Sequence, residues 1–153
     1  MTSSYTQDAG IVINTGKQGS FRWAVRQIVT LRGVLNCTLP IEVFYGGDDD
    51  LPEPYRNFLY LIESAFPDSG TITSVDVTQK FRDPDGMLGL PGGWAMRAFA
   101  ILASSSKTVI LADADTVFLQ SVFRNLKVSF GMIEFSAVHL IGRTNGEMKY
   151  PNY

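Results

Sequence analysis

A single cysteine, Cys37, is too few for a disulfide within the chain and excludes any zinc cage built on cysteine. No stripe of Lys and Arg runs through the sequence. With 13 basic and 15 acidic residues intermixed and a formal charge of −2, a nucleic-acid backbone is not the expected partner. Nor is there a run of 18 apolar residues, so no membrane span is expected within these 153 residues. The opening MTSSYTQDAG lacks a basic stretch followed by an apolar one and does not read as a targeting segment. Repeats and low-complexity tracts are missing too. What remains, 45% hydrophobic and 18% charged, is enough for one globular domain with its own core.

Short apolar runs alternate with longer amphipathic ones. Gly10–Asn14 (GIVIN), Ile41–Tyr45 (IEVFY), Thr71–Thr78 and Thr108–Phe118 read as strands. Between them, Phe21–Leu35, the stretch from Pro52 to about Phe66, and Gly93–Ser106 read as helices. In the first helix Trp23, Ile28, Leu31 and Leu35 form the apolar side and Arg22, Arg26 and Arg32 the polar one. The breaker Asn36–Pro40 ends that helix, and its Asn36-Cys37-Thr38 triplet is a glycosylation acceptor usable only in the secretory lumen. Gln79–Pro91 is an irregular loop. Strands joined by helical crossovers predict an α/β fold: a mostly parallel sheet with helices on both faces, binding its ligand beyond the carboxyl ends of the strands.

Several loops at those ends carry possible chemistry. TGKQGS after the first strand has neither the Gly-x-Gly-x-x-Gly spacing of a dinucleotide fold nor the Gly-Lys-Ser/Thr ending of a phosphate loop, although a phosphate could approach the helix start. Asp48-Asp49-Asp50 suits the cap of the following helix better than a cation site, where three like charges would crowd. Asp113-Ala114-Asp115 is sharper. If the strand persists through both aspartates, they project to one side and repel unless a divalent cation or a proton intervenes. By residue type alone the pair fits either an Mg²⁺ or Mn²⁺ site completed by phosphate oxygens or a solvated strand end.

The blocks GIVINTG, FRWAVRQIVTLRGVLNCTLPIEVFYGGDDDL, GLPGGWAMRAFAILASS and VILADADTVFLQ, from about Gly10 to Gln120, together resemble the fungal Golgi α-1,3-mannosyltransferase family. That resemblance implies a Rossmann-like GT-A nucleotide-sugar-binding half with one Asp-x-Asp motif. It also implies transfer of mannose from GDP-mannose to a mannose-containing glycan acceptor, with Mn²⁺ (or Mg²⁺) on the diphosphate, in the Golgi lumen. Carried over by position, Asp113 and Asp115 are the metal and diphosphate ligands. Asn14 stands where such proteins hold the nucleotide, and Arg97 could contact the donor diphosphate or sugar. Gly92-Gly93-Trp94 shapes the turn into the helix that bears Arg97. No residue is matched to a catalytic base.

On this reading residues 1–9 are a disordered lead-in, 10–120 the nucleotide-sugar-binding region, and 121–153 a divergent tail without a matching block, in which His139 and Lys149 miss the spacing of a known metal-and-phosphate motif. The expectation is a shortened transferase that binds donor weakly and transfers little sugar. Two rival readings use the same aspartates. One is a nucleotide-binding module without turnover. The other is a haloacid-dehalogenase-like phosphatase in which Asp113 attacks phosphorus and Asp115 is the acid/base, although that motif normally opens its fold.

Overall fold

A computed structural model describes residues 5–82 and 95–118. Strand β1 spans Gln7–Asn14, β2 Ile41–Tyr45, β3 Ile72–Asp76 and β4 Ser106–Asp113. All pairings are parallel and the sheet order is β3-β2-β1-β4. Helices α1 (Lys17–Val29), α2 (Glu53–Ala65), the single turn α3 (Val77–Lys80) and α4 (Ala95–Ala103) connect the strands, and a π-helical turn, Thr30–Val34, extends α1. The central strands read as mostly apolar runs because both faces are covered: Ile11–Ile13 and Ile41–Tyr45 are buried throughout, Glu42 included, whose carboxylate accepts from Ser105 N–H at 3.0 Å. One face packs Ile11, Ile13, Ile41, Val43, Ile110 and Ala112 against Phe21, Ala24, Ile28, Leu59 and Ile62 of α1 and α2. The other packs Val12 and Phe44 against Val77, Met96, Ala100 and Ala103 of α3 and α4. This is the α/β arrangement the sequence pattern implies, and the Rossmann-like one the family resemblance implies.

Strand order matters for function. Successive crossovers step outward from β1 to β2 to β3, and the chain then returns to add β4 on the far side of β1. The reversal falls between the carboxyl ends of β1 and β4, the place where open α/β sheets bind ligands. There Asn14 and Asp113 are register neighbours at the ends of the two paired strands.

Several boundaries differ from the sequence pattern. Strand β1 begins at Gln7, so Gln7–Ala9 belong to the sheet rather than to a disordered lead-in; Thr6 N–H also donates to Ser105 C=O at 3.0 Å. Strand β3 stops at Asp76, not Thr78, because the Asp76 carboxylate accepts from Thr78 N–H at 2.9 Å and caps α3. The aspartate triplet does not cap α2, whose N-cap is Pro52 with no side-chain bond. Asp48 pairs instead with Arg56 at 2.6 Å. Asp50 is buried and accepts from Gly46 N–H at 2.8 Å. A Cβ on Gly16, at the head of α1, would stand 2.1 Å from an Asp50 carboxylate oxygen, so only glycine lets that carboxylate approach. The Gly92-Gly93-Trp94 turn, residues 83–91 of the loop, and the tail with His139 and Lys149 lie outside the described residues.

Arg32 is the largest departure. It is 2% exposed, whereas Arg22 and Arg26 are exposed as expected and Trp23 lies half-exposed under the Arg26 guanidinium, 4.9 Å from the ring centre. Spacing explains it. Arg32 follows Ala24 and Ile28 at steps of four and shares their buried stripe. Its neighbour Cys37 is also buried, and burial pushes the thiol pKa up against smaller opposing effects of the Leu39 backbone and the Arg32 guanidinium. The folded thiol therefore holds its proton more tightly than the unfolded one. Its contribution to stability is full below the ordinary thiol pKa and is lost as pH rises through the raised value. The expected outcome is that Cys37 resists a thiol-specific reagent in buffer, reacts at once in denaturant, and that the urea midpoint falls between pH 8 and pH 10. A rapid reaction under native conditions contradicts the burial.

Candidate functional site

The site builds outward from the end of β4. The ladder with β1 ends at the pair Asn14 and Asp113, and the chain then turns, with Thr116 N–H donating to Asp113 C=O at 2.9 Å. The strand therefore does not persist through both aspartates. Asp113 is its last residue and Asp115 lies exposed in the turn. The alternation of burial still continues: Ala112, Ala114, Thr116 and Phe118 are buried, while Asp113 is half-buried and Asp115 and Val117 are exposed. The apolar side chains of Ala114 and Phe118 join the core on the α1 side and hold the turn against the sheet.

Asp113 has a partner. Arg97, in the first turns of α4, donates from Nη2 to Asp113 Oδ2 at 2.8 Å, with about a third of each side chain exposed (32% and 29%). Helix α4 covers the face to which Val12 and Phe44 point, and through Arg97 its first turn reaches the carboxyl end of β4. A carboxylate at the end of an apolar strand is thus neutralised by a guanidinium from the preceding helix.

Asn14 has none. Both polar atoms of its amide, Nδ2 and Oδ1, are shielded from solvent and lack a hydrogen-bond partner. A buried amide is costly in that state. Its place beside Asp113 is where a ligand offering both an acceptor and a donor would relieve the cost. Of the residues expected at the site, the fold brings together Asn14, Arg97 and Asp113 and sets Asp115 at the rim.

A hard divalent cation fits the donor set of Asp113 and Asp115, which offers carboxylate oxygens only. No cluster of three or more His, Cys, Asp or Glu stands among the described residues. A cation held by this pair would therefore complete its shell with water and ligand oxygens, the habit of Mg²⁺ and Mn²⁺ on phosphates.

Sequence reasoning missed Gln27. It is 5% exposed on α1, and its Nε2 donates to the carbonyls of Asp113 at 3.2 Å and Thr116 at 3.1 Å, across the turn that carries both aspartates. An amide at the edge of the stripe formed by Ala24, Ile28 and Leu31 is the signal that was available. Tyr45, at the end of β2, packs under Arg56 with 5.4 Å between guanidinium and ring centre, and burial raises its phenol pKa.

Comparison with known proteins adds one finding. The family model described as "Mannosyltransferase putative" matches residues 8–129, four-fifths of the chain. The match takes in every described strand except the first residue of β1, together with Asn14, Arg97, Asp113 and Asp115, and it runs past Gln120, beyond the last block of the sequence resemblance. No curated protein matches. Neither the phosphatase reading nor that of a module without turnover gains an observation from the fold or from this match. No helix among the described residues is long and apolar enough to cross a membrane.

Proposed function

Because the chain belongs to this mannosyltransferase family, we propose that the site at the carboxyl ends of β1 and β4 binds GDP-mannose with Mn²⁺ or Mg²⁺ and serves transfer of mannose to a glycan mannose, in the GT-A manner. One observation carries the proposal: at the point where strand order reverses, the unpartnered Asn14 amide stands in register with Asp113, which Arg97 reaches from the opposite helix.

Asp113 and Asp115 would hold the cation, which when bound neutralises charge on the leaving diphosphate. Arg97 donates charge-assisted hydrogen bonds to phosphate oxygens as negative charge grows there during cleavage of the sugar–phosphate bond. It starts from its place on Asp113, which would hold the same diphosphate through the cation. Asn14 offers its amide N–H and C=O to a hydroxyl or base edge of the donor, satisfying two atoms otherwise buried alone. Placement in the secretory lumen belongs to the same reading. It is supported by the exposure of Asn36 and Thr38, which flank buried Cys37 in the acceptor triplet.

Calorimetry of the purified chain with GDP-mannose, with and without Mn²⁺, followed by a screen of mannoside acceptors, tests the proposal. The expected result is saturable binding that requires the metal and is shared by GDP. Absence of binding under both conditions overturns the donor site. Binding of GDP-mannose with equal affinity in the presence of a chelator overturns the role of the aspartates.

A further inference from the structure

We infer that Gln27 is a positioning residue for the aspartate pair: through two hydrogen bonds from one amide nitrogen it fixes the Asp113–Thr116 turn, and with it the spacing at which both carboxylates meet a metal-bound diphosphate. The ligand part of this inference rests on the reading of the site given above; the fixing of the turn does not.

The turn needs such a device. Strand β4 lies at the edge of the described sheet, and its ladder with β1 ends at Asp113. Asp115 follows where no ladder bond constrains it, on a turn closed by the single bond from Thr116 N–H to Asp113 C=O. Gln27 crosses 86 and 89 positions of sequence to reach the first and last carbonyls of that turn, so the two ends cannot move apart without breaking a bond to the same nitrogen. A two-point tie from one rigid helix restrains the intervening peptide more than a bond to either carbonyl alone.

Chemistry fixes the orientation of the amide. Both contacts are carbonyls, so the donating NH₂ must face them; the flipped amide would set oxygen against oxygen. Its own Oε1 is then left buried without a donor. An apolar side chain of equal size would fill the same space without that standing cost, so the amide's net contribution lies in the two bonds to the turn. Helix α1 also begins three residues after Asn14, the end of β1. The element that pins the aspartate turn is thereby the one that follows Asn14, and the carboxyl ends of the two strands are held to a common support. The arrangement is that of an outer residue orienting the ligands of a metal, where loss typically costs about 10–100-fold in affinity.

The test compares the full chain with Gln27→Met, which keeps the volume and removes the donor, and Gln27→Glu, which keeps the size but turns a carboxylate toward two carbonyls. Three quantities are read: GDP affinity with and without MnCl₂, hydrogen exchange at the Thr116 amide, and the melting temperature. For Gln27→Met, metal-dependent GDP affinity falls about tenfold and Thr116 exchange accelerates by a similar factor. Affinity without metal, protection in the β1 and β2 ladders, and the melting temperature stay close to those of the parent. Gln27→Glu loses more than Gln27→Met on both counts. Unchanged Thr116 exchange in Gln27→Met overturns the inference. So does protection lost evenly across the sheet together with affinity, which marks a general packing role, or a Gln27→Glu variant no worse than Gln27→Met. If the parent chain shows no metal-dependent GDP binding, the proposed function falls, and exchange at Thr116 alone decides whether Gln27 fixes the turn.

Discussion

Asp113→Asn is expected to reduce metal-dependent binding of GDP-mannose, and whatever mannosyl transfer accompanies it, by at least about 10²–10³-fold, the scale on which single preorganised electrostatic groups act. The substitution removes the charge and keeps the shape. The fold should tolerate it: both side chains of the Arg97–Asp113 pair are about a third exposed (32% and 29%), and pairs of that kind contribute only about 0–1 kcal/mol. Loss of function with a nearly unchanged melting temperature is therefore the expected signature. Arg97→Met separates the two demands on Asp113. In the structure the guanidinium occupies one carboxylate oxygen, so a free cation must displace it. Removing Arg97 should strengthen binding of Mn²⁺ alone while weakening binding of GDP with Mn²⁺, because the diphosphate loses its cationic partner. Asp115→Asn should weaken metal-dependent binding with no effect on folding, since its side chain is exposed. Titration calorimetry of the three variants with MnCl₂, then with GDP and MnCl₂, checks all of this. Donor binding within threefold of the parent in Asp113→Asn would place the site elsewhere.

The opposite signs expected for Arg97→Met follow from a feature hidden in the sequence. Asp-Ala-Asp at the end of an apolar run poses the question of what offsets two charges, and a metal is the answer suggested by the aspartates alone. The structure supplies Arg97, sixteen residues earlier, for the first of them. No local spacing rule links a helix residue to the strand that follows its own turn; that contact depends on how α4 lies on the sheet. By contrast, strands were legible where both faces are buried, as at Ile11–Ile13, because continuous apolar runs bounded by breakers need no tertiary information. Boundaries shifted where a side chain took over a backbone role. Asp76 ended β3 by capping Thr78, and the turn bond from Thr116 to Asp113 ended β4 before the second aspartate. The aspartate triplet failed as a cap for the same reason in reverse: Arg56 and the Gly46 amide compete for those carboxylates. Asn14 is placed by its strand end together with the family resemblance; Gln27, an amide at the margin of an apolar stripe, gains a role only once the facing turn is known.

Arg32 has the largest expected effect on stability. Its Nη1 donates to the carbonyls of Cys37 at 2.5 Å and Leu39 at 2.7 Å, and its Nη2 to those of Gly70 at 2.8 Å and Thr71 at 3.2 Å. The first pair belongs to the breaker that ends the π-helical turn, where Asn36 adopts φ 48°; the second belongs to the chain entering β3. These segments approach so closely that a Cβ on Gly70 would lie 2.2 Å from Thr38 C=O, which only glycine permits. Three of these carbonyls, those of Cys37, Leu39 and Gly70, have Arg32 as their donor, while Thr71 C=O also accepts from Ile41 N–H at 2.8 Å; a planar fork of donors is the group that satisfies the three together. Burial lowers the guanidinium pKa, against smaller opposing effects of Cys37 and Glu63. Arg32→Met keeps most of the volume and removes the desolvated charge, yet leaves the carbonyls of Cys37, Leu39 and Gly70 without their donor, each costing about 1–3 kcal/mol where water cannot reach, while Thr71 C=O keeps the Ile41 N–H. Partial solvation of the second pair and relief of the charge reduce the sum, so a loss of about 3–4 kcal/mol is expected, a large share of the roughly 5–15 kcal/mol that holds a domain together. Arg32→Lys retains charge but gathers its donors on one ammonium that cannot span both segments, and about 2–3 kcal/mol is expected. Urea unfolding followed by far-UV circular dichroism measures both. A change under about 0.5 kcal/mol for Arg32→Met would mean that water already serves those carbonyls and that the two crossovers flanking β2 are held by packing alone.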